Sequence, residues 1–395
     1  MIASSPFSRR RFIAGAAALW PLASFAQPQP ADDRILFRHG VASGDPLHDR
    51  VVLWTRVTPP PTRSATGPIE VRWQIASDEG LTQIVASGMT QAAPDRDFTV
   101  KVDAGSLEPA RTYYFAFEAG GERSAIGRTK TTPATRAGRI RLAIVSCSNY
   151  PMGYFNVYRC VANRGDLDAV IHLGDYLYET ASGPYGGAMA NGRARHPAGE
   201  AITLDEYRRL YAVYRSDPDL QEAHRLHPFI AVWDDHEIAN NSWSGGAARH
   251  TREKGAWAVR VESAFRAYRE WMPVRETNAP ARLYRTIRFG PLADLILLDT
   301  RSGRDRQVAA ADLERLADPS RSLLGAAQEA WMFDELRSSS SRGTTWRLLG
   351  QQVMFGHVTP PECRCRTSTR GTVIPPRGAV SSSSSHANGF RMWRC

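Results

Sequence analysis

Asp168-Ala169-Val170-Ile171-His172-Leu173-Gly174-Asp175 and Phe229-Ile230-Ala231-Val232-Trp233-Asp234-Asp235 decide the fold class of this chain. Each is a short, nearly unbroken apolar run that ends in acid. Such runs read as strands buried on both faces, the kind found in parallel sheets covered by helices. Ile140 to Ser146 and Leu292 to Asp299 repeat the pattern. Helical stretches are predicted between and after them, at Thr203 to Tyr214, Glu253 to Trp271 and Ala326 to Ser338. Alternating buried strand and helix is the mark of α/β architecture. Three of the strands run directly into Cys147, Asp175 and Asp234-Asp235-His236-Glu237. The carboxyl ends of strands are where sites are built in such sheets.

Toward the N-terminus the period changes. Val51 to Val57, Ile69 to Ile75 and Thr112 to Glu118 alternate in strand fashion and are broken by Pro, Gly and Asp. The spacing predicts an antiparallel β-sandwich over residues 35–132. Thr129 to Gly138 reads as a linker, leaving 139–359 for the α/β domain. Trp54 and Trp73 could form a ligand surface on the sandwich, which would make the chain a binding module. Tryptophans in alternating strands usually fill the core, so that reading is set aside.

The two ends differ from the body. Arg9, Arg10, Arg11 and Phe12 precede a small apolar stretch, Ala14 to Leu22, and then Ser24-Phe25-Ala26. Charged, apolar and small-residue regions in that order make residues 1–26 an export signal, and the paired arginines resemble the twin-arginine type. Residues 360–395 lack periodicity, contain Ser381 to Ser385 and carry Cys363, Cys365 and Cys395. They are expected to lie outside the fold. Of the net charge of +10, +3 sits at Arg9–Arg11 and +5 between 361 and 395, leaving +2 for residues 27–360. A body so nearly neutral has no field for a polyanion, which argues against specific nucleic-acid binding. No apolar run approaches the ~20 residues of a membrane span. Five cysteines spread in this way are not a disulfide framework, although Cys147 and Cys160 could pair.

Asp175 with Tyr178 three residues later offers a carboxylate and a phenol, hard oxygen ligands suited to a trivalent ion such as iron(III). Cys147 could add a thiolate. Asp235 and His236 supply a further hard ligand and an imidazole able to give up a proton. Each alone could be a helix cap or a core residue. Three such groups ending three strands of one sheet define a candidate site.

The stretches GVASGDP (40–46), LAIVSCSNY (142–150), VIHLGDYLYE (170–179), VWDDHEIANNSW (232–243), LILLDTR (295–301) and LLGQQVMF (348–355) resemble the alkaline phosphatase D (PhoD-like) family of exported metallophosphatases. The resemblance covers roughly residues 35–359 and keeps the family's order. It implies an immunoglobulin-like all-β domain followed by a calcineurin-like α/β/β/α sandwich. It further implies hydrolysis of phosphate mono- and diesters with Fe3+ and Ca2+ as metals. Carried onto this sequence, Asp175 would bridge the metals while Cys147 and Tyr178 bind the iron. Asp235, with Asn240 or Asn241, would bind the second ion. His236 would act as general acid or hold the phosphate oxygens. A hydroxide on a metal pair is a nucleophile at neutral pH, which suits these roles.

The family pattern also includes a late Gly-Asp-x-His ligand segment, and no Gly-Asp-x-His occurs here. Gly356-His357 is not expected to replace it, because it has no convergent partner. These features predict a fold incomplete at its C-terminus, with a reading-frame shift near Thr359. They admit an alternative in which the chain is a catalytically impaired homologue. The expected partners are small phosphate esters and the twin-arginine export machinery, acting on a monomer without a membrane anchor.

Overall fold

Fourteen strands and six α-helices are found among the residues described by the computed structural model, which are 36–60, 67–135, 137–180, 193, 199–276, 282–309 and 312–353. The expected export signal at residues 1–26, the 360–395 tail and Gly356-His357 lie outside them. In chain order the strands are β1 Val41–Gly44, β2 Val51–Arg56, β3 Ile69–Ala76, β4 Ile84–Ala92, β5 Thr99–Ala104, β6 Thr112–Ala119, β7 Glu122–Arg123 and β8 Gly127–Lys130. They continue with β9 Leu142–Val145, β10 Ala169–His172, β11 Pro228–Ala231, β12 Arg285–Phe289, β13 Ala293–Leu297 and β14 Trp346–Gly350. The helices are α1 Asn156–Ala162, α2 Leu204–Tyr214, α3 Pro218–Leu226, α4 Trp257–Trp271, α5 Leu313–Leu316 and α6 Ala326–Ser341.

The site-bearing strands β9, β10 and β11 are adjacent and parallel, so their carboxyl ends share one edge. One face of this sheet buries Val170, Phe229 and Ala231 under α2, α3 and α4. The opposite face sets Ile171, Ile230 and Val232 against Ile287, Leu295 and Leu297 of a second sheet, β12-β13-β14. The far side of that sheet packs Ile296 and Leu298 against Leu336 of α6. Layers therefore run helix, sheet, sheet, helix, as apolar faces on both sides of each sheet require.

Several expectations are corrected. The strand from Ile140 to Ser146 is an edge strand, with Ile144 66% exposed, and is not buried on both faces. The run from Leu292 to Asp299 forms β13 of the second sheet, antiparallel to β12 and parallel to β14. The 129–138 linker begins later than expected, because β8 pairs with β6 through Lys130 and Thr131 and Thr132 are buried. The helix expected from Glu253 starts at Trp257, since Arg252–Lys254 is a separate 3-10 turn closed by Gly255 in a left-handed conformation. Helix α3 went unanticipated, although Asp217 caps it by accepting from Leu220 N at 2.9 Å and Pro218 opens its first turn.

The expected N-terminal sandwich consists of two layers around a core that includes Val51, Leu53, Val71, Ile75, Phe115 and Phe117. One layer is β4-β3-β6-β7 with β8 on β6. The other layer, β5-β2-β1, is not separate from the α/β region. β1 pairs in parallel with β11, making one six-stranded sheet across the expected domain boundary. Trp54 accordingly points away from the sandwich core. It is fully buried in the helical layer, donates to the Glu270 carbonyl at 2.8 Å and lies 4.2 Å beneath the buried Arg215 guanidinium. Neither the ligand-surface reading nor a purely local core role describes it; it locks the two regions together. Trp54→Phe is expected to cost about 2 kcal/mol in urea unfolding by orphaning that carbonyl and loosening the stack. An unchanged midpoint would show that the two regions are not coupled through this side chain.

Candidate metal centre

Three tight loops at the ends of β9, β10 and β11 build the centre. Gly174 has φ +94° and packs against Asp234, where an added Cβ would fall 2.3 Å from the Asp234 nitrogen. The loops can approach this closely only because residue 174 has no side chain. Cys147, Asp175 and Asn241 have φ of 60°, 53° and 54°. Such backbones cost about 1–3 kcal/mol each for ordinary residues and collect where a site over-determines them. Here backbone bonds from Cys147 N to Gly174 O and from Ser148 N to Asp175 O hold the first two loops in register.

Asp175 stands at the centre and is buried. Its Oδ2 receives Tyr178 OH at 3.0 Å and Cys147 Sγ at 3.5 Å. Its Oδ1 accepts from the His236 backbone N–H at 3.4 Å. Asp175, Asp235 and His236 each present a ligand atom, all within 4.8 Å of one another. Of the six residues singled out from sequence, five thus converge. Asn240 lies beside them but contributes its backbone, donating to Glu179 Oε1 at 2.7 Å, while Asn241 donates its backbone N–H to Asp235. Cys147 and Cys160 are both free thiols and do not pair.

The electrostatics fit a cation. Burial raises the Asp175 pKa, and the Asp235 charge raises it further. Burial and the Asp175 charge likewise push the Tyr178 phenol above its ordinary value, and burial lifts the Cys147 thiol. Thiol, phenol and carboxylate therefore resist ionising together until a multivalent positive charge joins them. The donor set of carboxylates, phenol, thiol and imidazole is chemically suited to such an ion.

Four buried groups that the sequence reading left without roles organise these donors. Glu237 is fully buried and accepts from Asp175 N at 3.1 Å, Tyr176 N at 2.7 Å and Asp234 N at 2.9 Å, stitching two loops together. Glu179 accepts from His236 Nδ1 at 2.7 Å. Asp234 and Arg301 pair at 2.5 Å, and Arg301 also reaches Asp235 at 3.2 Å. Glu179 and Glu237 were visible as the acids ending GDYLYE and DDHE. Arg301 comes from the loop after β13 of the other sheet, and no local spacing could place it here.

His236 titrates high. Burial works against its charge, but the Glu179 hydrogen bond and the charges of Glu179, Asp235 and Asp175 outweigh that, lifting its pKa from 6.5 to about 9. A raised folded-state pKa means that the stabilisation is complete below the unfolded value. In the metal-free protein this contribution is present below about pH 6.5, declines above it and is gone above about pH 9. Glu179→Gln is expected to bring the His236 titration, followed by NMR, back to pH 6.5 or below and to remove this slope from urea unfolding. A titration near pH 9 in that variant would locate the cause elsewhere.

Parallel strands that end in a buried carboxylate–imidazole cluster define an α/β protein equipped to hold a cation. The sequence model of the PhoD-like phosphatase family matches residues 142–382, and that of the family's N-terminal domain matches 23–133. The chain belongs to the PhoD-like phosphatase family. It is 39% identical over 380 residues to alkaline phosphatase D of Bacillus subtilis (strain 168), an alignment covering 89% of this chain and 64% of that protein. A solved structure of PhoD superposes with a TM-score of 0.74 at 38% identity, covering 83% of this chain and 64% of the other. The chain thus spans slightly under two thirds of the length of these relatives.

Proposed function

We propose that this protein is a metal-dependent phosphoric ester hydrolase acting on small phosphate mono- and diesters, exported by the twin-arginine route. The observation that carries the reading is the divided carboxylate of Asp175. Oδ2 accepts from Cys147 and Tyr178, Oδ1 accepts from the His236 backbone N–H, and ligand atoms of Asp175, Asp235 and His236 lie within 4.8 Å of one another. A bridging ligand needs that geometry. Cys147, Tyr178 and Asp175 would hold Fe3+, while Asp175 and Asp235, helped by Asn240 or Asn241, would hold Ca2+. The same proposal takes the layered α/β region as calcineurin-like and the N-terminal strands as an immunoglobulin-like domain. The PhoD-like membership supports each part.

Cations in this centre would lower the pKa of water and neutralise charge on the phosphoryl group. The chain's own residues supply orientation and a proton. Glu179 accepts from Nδ1 of His236 and fixes the ring, so its remaining nitrogen serves the leaving oxygen or a phosphoryl oxygen. The Tyr178 ring lies tilted against the His236 ring with centroids 4.1 Å apart and limits its rotation. Glu237 holds the Asp175 and Asp234 backbones so that the carboxylates do not reorganise during the reaction.

Hydrolysis of chromogenic mono- and diesters is expected to fall by at least about 10^3-fold after exhaustive chelation and to return on adding Fe3+ and Ca2+. Full activity with verified metal loss would overturn the metal assignment. No hydrolysis by the metal-replete chain would favour the impaired homologue.

A further inference from the structure

His172 ends β10 three residues before Asp175 and is fully buried. Its ring stands between two of the loops that carry donors. On one side Nδ1 accepts from Gly174 N at 3.2 Å. A backbone N–H can donate only to a ring nitrogen that bears no hydrogen, so the proton of this imidazole sits on Nε2. On the other side Nε2 lies 3.1 Å from Tyr158 OH of α1 and 3.2 Å from Ser148 Oγ. Those two hydroxyls also hydrogen-bond each other, and Nε2–H donates into the pair. Ser148 and Tyr158 are buried too, so these bonds form away from bulk water.

Ser148 directly follows Cys147, and Gly174 directly precedes Asp175. One ring thus holds the neighbour of a donor in each loop. Both donors have left-handed backbones, with φ 60° at Cys147 and 53° at Asp175, which surrounding contacts must maintain. Their side chains already meet, Cys147 Sγ lying 3.5 Å from Asp175 Oδ2. Tyr158 ties the arrangement to the helical layer, its ring packing edge-on to Phe155 with centroids 5.6 Å apart.

We propose that His172 is a positioning residue of the metal centre, its Nε2–H tautomer setting Cys147 and Asp175 at the separation that one shared cation requires. The inference rests on the metal-dependent hydrolase reading and deepens it, because it concerns the half of the site that would hold Fe3+. A buried partner that orients a ligand typically changes metal affinity by about 10- to 100-fold.

The test uses the full chain with Fe3+ and Ca2+ as probes. Affinity is read by chelator competition and bound metal by mass spectrometry, alongside the urea midpoint. Asparagine at 172 keeps an acceptor for Gly174 N but cannot reach the hydroxyl pair. His172→Asn is therefore expected to raise the Fe3+ Kd by about 10- to 100-fold and to leave the Ca2+ Kd nearly unchanged. Ser148→Ala cuts the same link from its other end and should match that loss, with the double variant no weaker than either single. His172→Leu, which lacks both bonds, should weaken both ions. An unchanged Fe3+ Kd in folded His172→Asn overturns the positioning role, as does an equal loss of both ions that only follows the urea midpoint. If Fe3+ binding depends on His172 in this way but the parent hydrolyses no ester, the positioning role stands and the hydrolase reading falls. If the parent hydrolyses esters and His172→Asn keeps its Fe3+ affinity, the reverse holds.

Discussion

Asp175→Asn is expected to abolish metal binding and to lower ester hydrolysis by at least about 10^3-fold, while making the metal-free protein more stable. The two effects share one cause. Burial and the neighbouring Asp235 charge raise the Asp175 pKa, so its ionised form is disfavoured in the folded chain. An acid whose folded pKa is raised destabilises the fold at pH values above its unfolded pKa of 3.8, and the neutral amide removes that burden. Asparagine also suits the backbone, because residue 175 has φ 53°, a left-handed conformation that Asn tolerates well. It can still accept from Tyr178 OH. Metal content by mass spectrometry and urea midpoints at pH 7 check both effects. A variant that kept its metal would remove Asp175 from the centre of the site.

Gly174→Ala is expected to destabilise the fold by about 3 kcal/mol or more and to scatter the donors even where the chain still folds. The new methyl would meet the Asp234 nitrogen at 2.3 Å and the Asp234 Cβ at 2.6 Å on a backbone with φ +94°. Neither the contact nor the torsion can relax without parting the β10 and β11 loops. Glu237 spans those loops and would lose its hold on one of them. Thermal unfolding and metal stoichiometry should therefore fall together. A stable Gly174→Ala protein with full metal content would show that the close approach is dispensable.

Several of the strands and helices, and the strand-end positions of five of the six candidate residues, were legible because they depend on local pattern. Apolar runs ending in acid mark the buried strands β10 and β11, and the strand-end positions of Cys147, Asp175 and Asp235 follow from the chain order. The Thr203 cap with Glu206 at the start of α2 is equally local, with Thr203 N donating to Glu206 Oε2 at 2.8 Å. Which face a strand buries is a different matter. β9 reads as a core strand, yet it lies at the sheet edge among the described residues and Ile144 is exposed. The ladder from β1 to β11, which merges the two expected domains, joins residues about 185 positions apart and has no local signature.

The organisation around the donors was decided only in three dimensions. Arg301 arrives from the loop after β13 of the second sheet, and Trp54 reaches Glu270 across 216 residues. Glu237 becomes a staple because Gly174 lets two loops touch. The sequence alone determined which residue types stand at the strand ends, since hydrophobic periodicity and loop chemistry are written in neighbouring positions. The tertiary structure decided which charges meet, because pairing energies depend on distance and burial between segments that sequence order does not bring together.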